Sequence, residues 1–312
     1  MKKKMMMFGT GIALVALTAC GTEETEGDAS SSGDDPIQVV STIGQLDDAV
    51  TNIGGDLVDN HALMGPGIDP HMYNASQGDV QLLDDADIVF YNGLNLEANM
   101  EDILEQMGQG KPVYAVGNNV PEDMIKADEE EQNMPDPHIW FDIDLWSYAV
   151  EEVRDGLIEL DPDNEDVYTE NAETYLSELT EVQEWAYSEI EQIEQDQRVL
   201  VTAHDAFQYF GDAFDFDVLG LQGISTEAEY GLSDVQRIID EMIERDITAV
   251  FGETSVSDSA IEAVIQGAGQ QGHDVEHGGE LYSDAMGEEG TEEGTYIGMY
   301  RANVSQVVDA LK

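Results

Sequence analysis

From Ile37 onward the chain alternates short apolar runs with stretches in which apolar residues recur every three or four positions. "IQVVSTI" leads into a helical pattern over 45–53, "DIVFYN" into one over 95–107, and "PVYAV" into one over 142–160. A further β-like run enters "LMGPGIDPHMYNAS" at 63–76. A second series begins at "RVLVTA" and passes through a helix near 205–213, "DVLGLQG", a helix over 233–245, "TAVFGE" and a helix over 256–268, closing with a helix near 296–311. Runs of buried-strand length alternating with amphipathic helices predict an α/β fold of two lobes, each with a parallel sheet flanked by helices.

Between the two series, Val167, Tyr175, Leu179, Val182, Ala186, Ile190 and Ile193 recur near the helical period, behind an Asp161 suited to capping and a Pro162 suited to a first turn. The pattern predicts one long backbone helix reaching about Gln195, free of internal Gly and Pro, as a strut joining the lobes. The expected divisions are 37–160 for an N-terminal lobe, 161–196 for the linking helix and 197–312 for a C-terminal lobe. No repeat of 20 to 50 residues is evident.

The N-terminus reads Lys2-Lys3-Lys4, an apolar stretch from Met5 to Leu17, then "LTAC". This is the layout of a secretory signal, and its apolar stretch is short for a membrane span. Leu17-Thr18-Ala19-Cys20 resembles a bacterial lipobox, which implies cleavage before Cys20, acylation of its thiol and a lipid anchor on the extracellular face of the cell membrane or in the periplasm. Residues 21–36 are rich in Gly, Ser, Asp and Glu and hold no large apolar side chain, so they read as a disordered tether. Cys20 is the only cysteine, which excludes a disulfide, a cysteine-zinc site and a cysteine nucleophile.

Charge changes the picture further. With 11 Lys+Arg against 68 Asp+Glu the 312-residue chain carries −57, and loss of the three signal lysines leaves 8 against 68, or −60. Nucleic acid is excluded as a partner on electrostatic grounds, and so is an anionic membrane surface approached by charge alone. A surface this acidic repels itself in fresh water and is screened by salt, which points to a salty or alkaline external habitat and a halophile-like protein.

Six histidines remain to be placed, and two of them, His71 and His138, stand directly behind Asp-Pro. Proline restricts its own backbone and that of its predecessor, so both imidazoles are delivered from stiff loops. His71 follows the second strand of the first lobe. His138 follows an acidic loop, 127–137, just ahead of a helix. His204 in "VLVTAHDAFQYFG" ends the first strand of the second lobe, and Asp284 in "GGELYSDAMG" is the best carboxylate partner. Strand ends are where α/β sheets bind ligands, and three imidazoles with one carboxylate suit a first-row divalent metal. Any one of these histidines read alone is as readily a surface or hydrogen-bonded residue; it is the shared placement that singles them out. His61, His273 and His277 lack it and are taken as structural or surface groups. Glu253, ending "TAVFGE", suits either a partner that orients an imidazole or a helix cap beside Thr254 and Ser255.

With these residues assembled, the chain resembles the TroA-like receptors of bacterial zinc and manganese ABC importers over about residues 37–312. The resemblance rests on "LMGPGIDPHMY", "ADIVFYNGLNLE", "DPHIWFDIDLWSYAV", "VLVTAHDAFQYFG", "GLQGISTEAEYG" and "GELYSDAMGEEGTEEGTYIGMY", in that order. It implies that His71, His138, His204 and Asp284 hold one divalent ion as cargo in a cleft between the lobes, and that a monomeric receptor delivers it to an ABC permease. Manganese-preferring relatives carry a glutamate as third ligand where this chain has His204. Many zinc receptors carry a His-rich loop before the second ligand, and here "KADEEEQNMPD" has no histidine. Imidazole-rich ligation favours zinc, with manganese as the other cargo.

A receptor needs a closed shell of protein ligands and no reaction. The enzymatic alternative is a metallohydrolase with a tris-histidine site and Glu253 as base, for which no HExxH or similar motif is present. A metal-dependent surface adhesin is the third class, a label some relatives carry.

Overall fold

The computed structural model describes residues 35–128, 134–227 and 230–312. The signal, Cys20, the tether up to residue 34 and the middle of the acidic loop lie outside the described residues.

The first sheet has four parallel strands in the order β2-β1-β3-β4: β1 (Ile37–Ser41), β2 (Val58–Ala62), β3 (Ile88–Tyr91) and β4 (Val113–Ala115). Parallel neighbours require crossovers, and these are α1 (Gly44–Gly54), α2 (Gln77–Asp85) and α3 (Glu101–Met107). The central strands are apolar without alternation because both faces are covered: Val39, Val40, Ile88, Val89 and Phe90 are all buried. β2, "VDNHA", is the edge strand and is half exposed, so its side chains are polar. Helix α2 lacks a strong apolar stripe. What defines it is a capping box, in which Ser76 Oγ accepts from the Asp79 amide and the Asp79 carboxylate accepts from the Ser76 amide.

The helix expected over 95–107 starts late. Gly93, Leu94 and Asn95 all have positive φ, 75°, 52° and 70°, and this left-handed run cannot enter a helix. A single 3-10 turn over Ala98–Met100 precedes α3.

A two-residue antiparallel pair, β5 (Ala127–Asp128) with β6 (Met134–Pro135), closes the base of the acidic loop immediately before Asp136. Helix α4 (Ile143–Leu160) follows, capped by the Asp142 carboxylate on the Asp144 amide. The long helix α5 spans Glu165–Ile190, preceded by a 3-10 turn over Pro162–Asn164. At 26 residues it is about 39 Å long. It is shorter than the expected reach to Gln195, and its buried stripe is Tyr168, Ala172, Tyr175, Leu179, Val182, Ala186 and Ile190. Val167, expected in that stripe, is exposed. Asp161 closes α4 through its backbone, but its side chain makes no capping bond to the turn that follows. It accepts side-chain hydrogen bonds from Asn164 and Tyr168 instead.

The second half repeats the plan. β7 (Val199–Thr202) pairs in parallel with β8 (Asp217–Gly220) across α6 (Gln208–Phe214), and α7 (Leu232–Arg245) leads to β9 (Ala249–Glu253). Helix α8 (Ser259–Gln270) then leads to β10 (Glu276–Leu281), which pairs in parallel with β9, and α9 (Tyr296–Leu311) ends the chain. β10, "EHGGEL", lies in a polar stretch that periodicity does not mark as a strand. It is a strand without an apolar run because its glycines are needed for close approach: a Cβ on Gly278 would lie 2.6 Å from the Phe251 ring.

Two buried clusters result. The larger is continuous from β1, α1 and β3 through α4 and α5 to α6 and α9, and takes in Phe251, Leu281 and Met286. The smaller lies between strands β7 and β9, which belong to separate two-stranded parallel pairs, and helices α7 and α8, around Val201, Ile238, Met242, Val250 and Val264. Among the described residues no helix is long and apolar enough to cross a membrane.

Candidate metal centre

The two Asp-Pro-His tripeptides share one local device. Asp69 Oδ1 accepts from the His71 amide at 2.9 Å, and Asp136 Oδ1 accepts from the His138 amide at 3.0 Å. Each aspartate thus bonds the backbone two residues on and closes a turn around the proline, which fixes where the histidine leaves the chain. From there the two diverge. Asp136 Oδ1 also lies 2.6 Å from His138 Nδ1, whereas Asp69 Oδ2 accepts from Thr226 Oγ1 at 2.6 Å. The His71 carbonyl accepts from Asn99 Nδ2 at 2.9 Å.

His204 sits just past β7. Glu253, at the end of β9, accepts from the His204 amide at 2.8 Å with Oε1 and meets His204 Nδ1 at 2.5 Å with Oε2. With Nδ1 of both His138 and His204 held by carboxylates, their Nε2 atoms face inward and lie 3.3 Å apart. The Asp284 carboxylate lies between them, Oδ1 3.3 Å from His138 Nε2 and Oδ2 3.4 Å from His204 Nε2, while His71 Nε2 is 3.9 Å from Oδ2. His71, His138, His204 and Asp284 offer four donor atoms within 4.8 Å of one another, all buried.

His61, His273 and His277 stand elsewhere. His61 is half exposed near Asp59, His273 Nε2 meets the Ile247 carbonyl, and His277 accepts the Gly279 amide on the partly exposed β10. Sequence reasoning missed Asp136 and Asp69 as partners, although an aspartate two residues before a histidine is the signal for this turn.

Electrostatics distinguish the three imidazoles. Burial drives His71 down to about 3, so it is neutral. Burial also opposes charge on His138, but Asp136 and Asp284 more than offset it and raise that imidazole to about 9. His204 is raised well above the ordinary value for the same reason, with burial outweighed by Glu253 and Asp284. Burial works against the Asp284 anion, yet His204 and His138 hold its carboxyl well below the ordinary range.

The atoms left unpaired define what the cluster can do. His71 Nε2 and both Asp284 oxygens are buried with no hydrogen-bond partner. Such groups are costly unless something else satisfies them. Donors about 2.0–2.1 Å from one tetrahedral ion lie roughly 3.3–3.4 Å from each other, which His138, His204 and their contacts to Asp284 already match, while the four donors together lie within 4.8 Å and His71 stands furthest from the carboxylate. Glu253 has both oxygens committed to His204, so it does not aim a free carboxylate at a water in the manner of a hydrolytic base.

Parallel sheets flanked by helices, carrying a closed and buried tris-imidazole and carboxylate cluster, define a solute receptor of the metal-binding kind. The chain belongs to the family described as "Zinc-uptake complex component A periplasmic", which it matches over residues 39–310. That description is of a component of an uptake complex, not of an enzyme. The chain is 47% identical over 307 residues to the manganese-binding lipoprotein MntA of Bacillus subtilis, covering 98% of this chain and 99% of that one. It is 40% identical over 300 residues to the zinc-binding protein TroA of Treponema pallidum, covering 96% of each. The solved structure of the periplasmic zinc-binding protein TroA from Treponema pallidum superposes with a TM-score of 0.87 at 41% identity, covering 89% of this chain and 99% of the other.

Proposed function

We propose that this protein is an extracytoplasmic receptor that captures one divalent transition-metal ion, zinc first and manganese second, and passes it to the permease of an ABC importer. The ligands are His71, His138, His204 and Asp284, with Glu253 and Asp136 orienting two of the imidazoles. The carrying observation is that three buried donor atoms of this cluster, His71 Nε2 and both Asp284 oxygens, have no partner of their own. His71 and His138 come from the N-terminal lobe (37–160) and His204 and Asp284 from the C-terminal lobe (197–312), so one ion joins both. The receptor works as a monomer held by a lipid on Cys20 at the extracellular face of the cell membrane or in the periplasm.

Nitrogen ligands and the usual affinity order favour zinc over manganese. Manganese stands as the second reading because a relative 47% identical carries that metal in its name. The test is competitive titration of the metal-free protein with zinc and manganese, followed by elemental analysis after a high-salt wash. One retained transition-metal ion per chain is expected, with zinc displacing manganese. No retained metal, or several ions, would overturn the reading.

A further inference from the structure

The carboxylate ligand differs from the imidazoles in how it is aimed. His138 and His204 each have a carboxylate on Nδ1, whereas the Asp284 oxygens meet only the imidazole nitrogens of the cluster, at 3.3 to 3.9 Å. Among the described residues no polar partner outside the cluster orients this carboxylate, so it is aimed from its main chain. The main chain next to Asp284 is held at the Ser283 carbonyl, which accepts from Trp140 Nε1 at 3.0 Å and, more weakly, from Gln45 Nε2 at 3.4 Å. Both donors are buried and far away in sequence. Trp140 stands two residues after His138, with the two rings 5.3 Å apart and edge-on, and its own carbonyl accepts from Tyr296 Oη at 2.6 Å. One short turn, Ile139–Phe141, therefore follows one metal ligand directly and clamps the backbone of another.

We infer that Trp140 is a positioning residue for the metal centre: its indole N–H, by holding the Ser283 carbonyl, sets the separation of the Asp284 carboxylate from His138. This rests on the ligand set proposed above. A buried indole with a satisfied N–H would serve packing as well, so the consequence that matters is the dependence on Asp284. Removing the N–H lets the Asp284 carboxylate drift while the three imidazoles stay in place. Phenylalanine keeps an aromatic ring beside His138 but is smaller than the buried indole, and the Asp284→Ala background separates that packing loss from loss of the hydrogen bond.

The test compares Trp140→Phe with Trp185→Phe, a control at a tryptophan that stacks under Arg301 outside the centre. Zinc affinity is measured by chelator competition, and coordination geometry by the visible absorption of the Co2+-loaded protein. Trp140→Phe is expected to weaken zinc roughly five- to tenfold, as loss of one buried hydrogen bond does, and to alter the Co2+ bands. Trp185→Phe should do neither. In an Asp284→Ala background, Trp140→Phe should weaken zinc no further, because the two act through the same ligand. Wild-type affinity and bands in Trp140→Phe, or an equal loss in the Asp284→Ala background, would overturn the inference. If Trp140→Phe does not fold, Gln45→Leu probes the same carbonyl, with a smaller loss that is again absent without Asp284, and no loss counts against it. Undiminished zinc binding by Asp284→Ala alone would instead refute the ligand set.

Discussion

Replacing Asp284 by alanine should remove most of the stabilisation that metal confers while leaving the metal-free protein folded. Asp284 is the only anion in the cluster. It is fully buried, has no hydrogen bond to lose, and lies 3.3 to 3.9 Å from three imidazole nitrogens. At a free zinc concentration about 1,000 times Kd, a ligand that binds only the folded state adds about 4.1 kcal/mol. A protein of this size gains about 2–4 °C in melting temperature per kcal/mol, so saturated wild type should melt roughly 8–16 °C above the metal-free form. Loss of the anionic ligand that weakened binding about a thousandfold, on the order of 4 kcal/mol, would bring the same zinc concentration down to Kd. The remaining gain is then RT ln 2, about 0.4 kcal/mol, or about 1–2 °C. In the metal-free protein Asp136 and Glu253 still face His138 and His204 after the deletion, so each imidazole keeps its main carboxylate partner and no lone buried charge is created. Differential scanning calorimetry at fixed zinc reads the difference directly. A mutant that kept more than half of the wild-type shift would show that the cluster is not the binding site.

Glu253→Gln should weaken zinc by about 10–100-fold, since partners of a ligating imidazole commonly contribute that much, and affinity within twofold of wild type would contradict the orienting role. Metal must displace the proton that His138 holds up to about pH 9, so zinc added to weakly buffered protein at pH 7 should release protons, and affinity should climb as pH rises from 6.5 to 9; a titration with no proton release would refute it. The linkage of the metal-free protein runs the other way: with this pKa raised on folding, the stabilisation is fully present below pH 6.5 and fades as pH climbs through 9, which thermal melts across that range would read. Cys20→Ala should abolish fatty-acid labelling and release the protein from membranes, and unchanged fractionation would dismiss the lipid anchor.

Where the sequence was legible, one physical pressure acted on each residue. β1, β3, β7 and β9 are buried on both faces, so their side chains had to be apolar and the runs stood out. β10 escaped because Gly278 and Gly279 answer to steric clearance against Phe251 and Gln306, which mimics a turn. The late start of α3 and the capping-box helix α2 depend on backbone handedness and local polar bonds that hydrophobic periodicity does not register. At the metal centre, histidines and strand ends were visible because both are rare or positional. Asp136 was not singled out, since its carboxylate reads as half of a stiff Asp-Pro dipeptide until the fold turns it onto His138 Nδ1. Trp140 gave no sign at all, because its partner, the Ser283 carbonyl, is backbone and lies 143 residues away.

The continuous core has a consequence for how the chain matures. Helix α9 packs against α1, and its Tyr296, Met299, Val304 and Val308 join Val39 and Leu46 in one cluster. A nascent chain emerging N-terminus first therefore completes the packing around α1 only once α9 has been made. Contacts of such long sequence separation slow folding, because the loop must close before any of them is gained. The early segments taken alone therefore lack the partners that complete their core, and their burial waits on the last helix of the cluster.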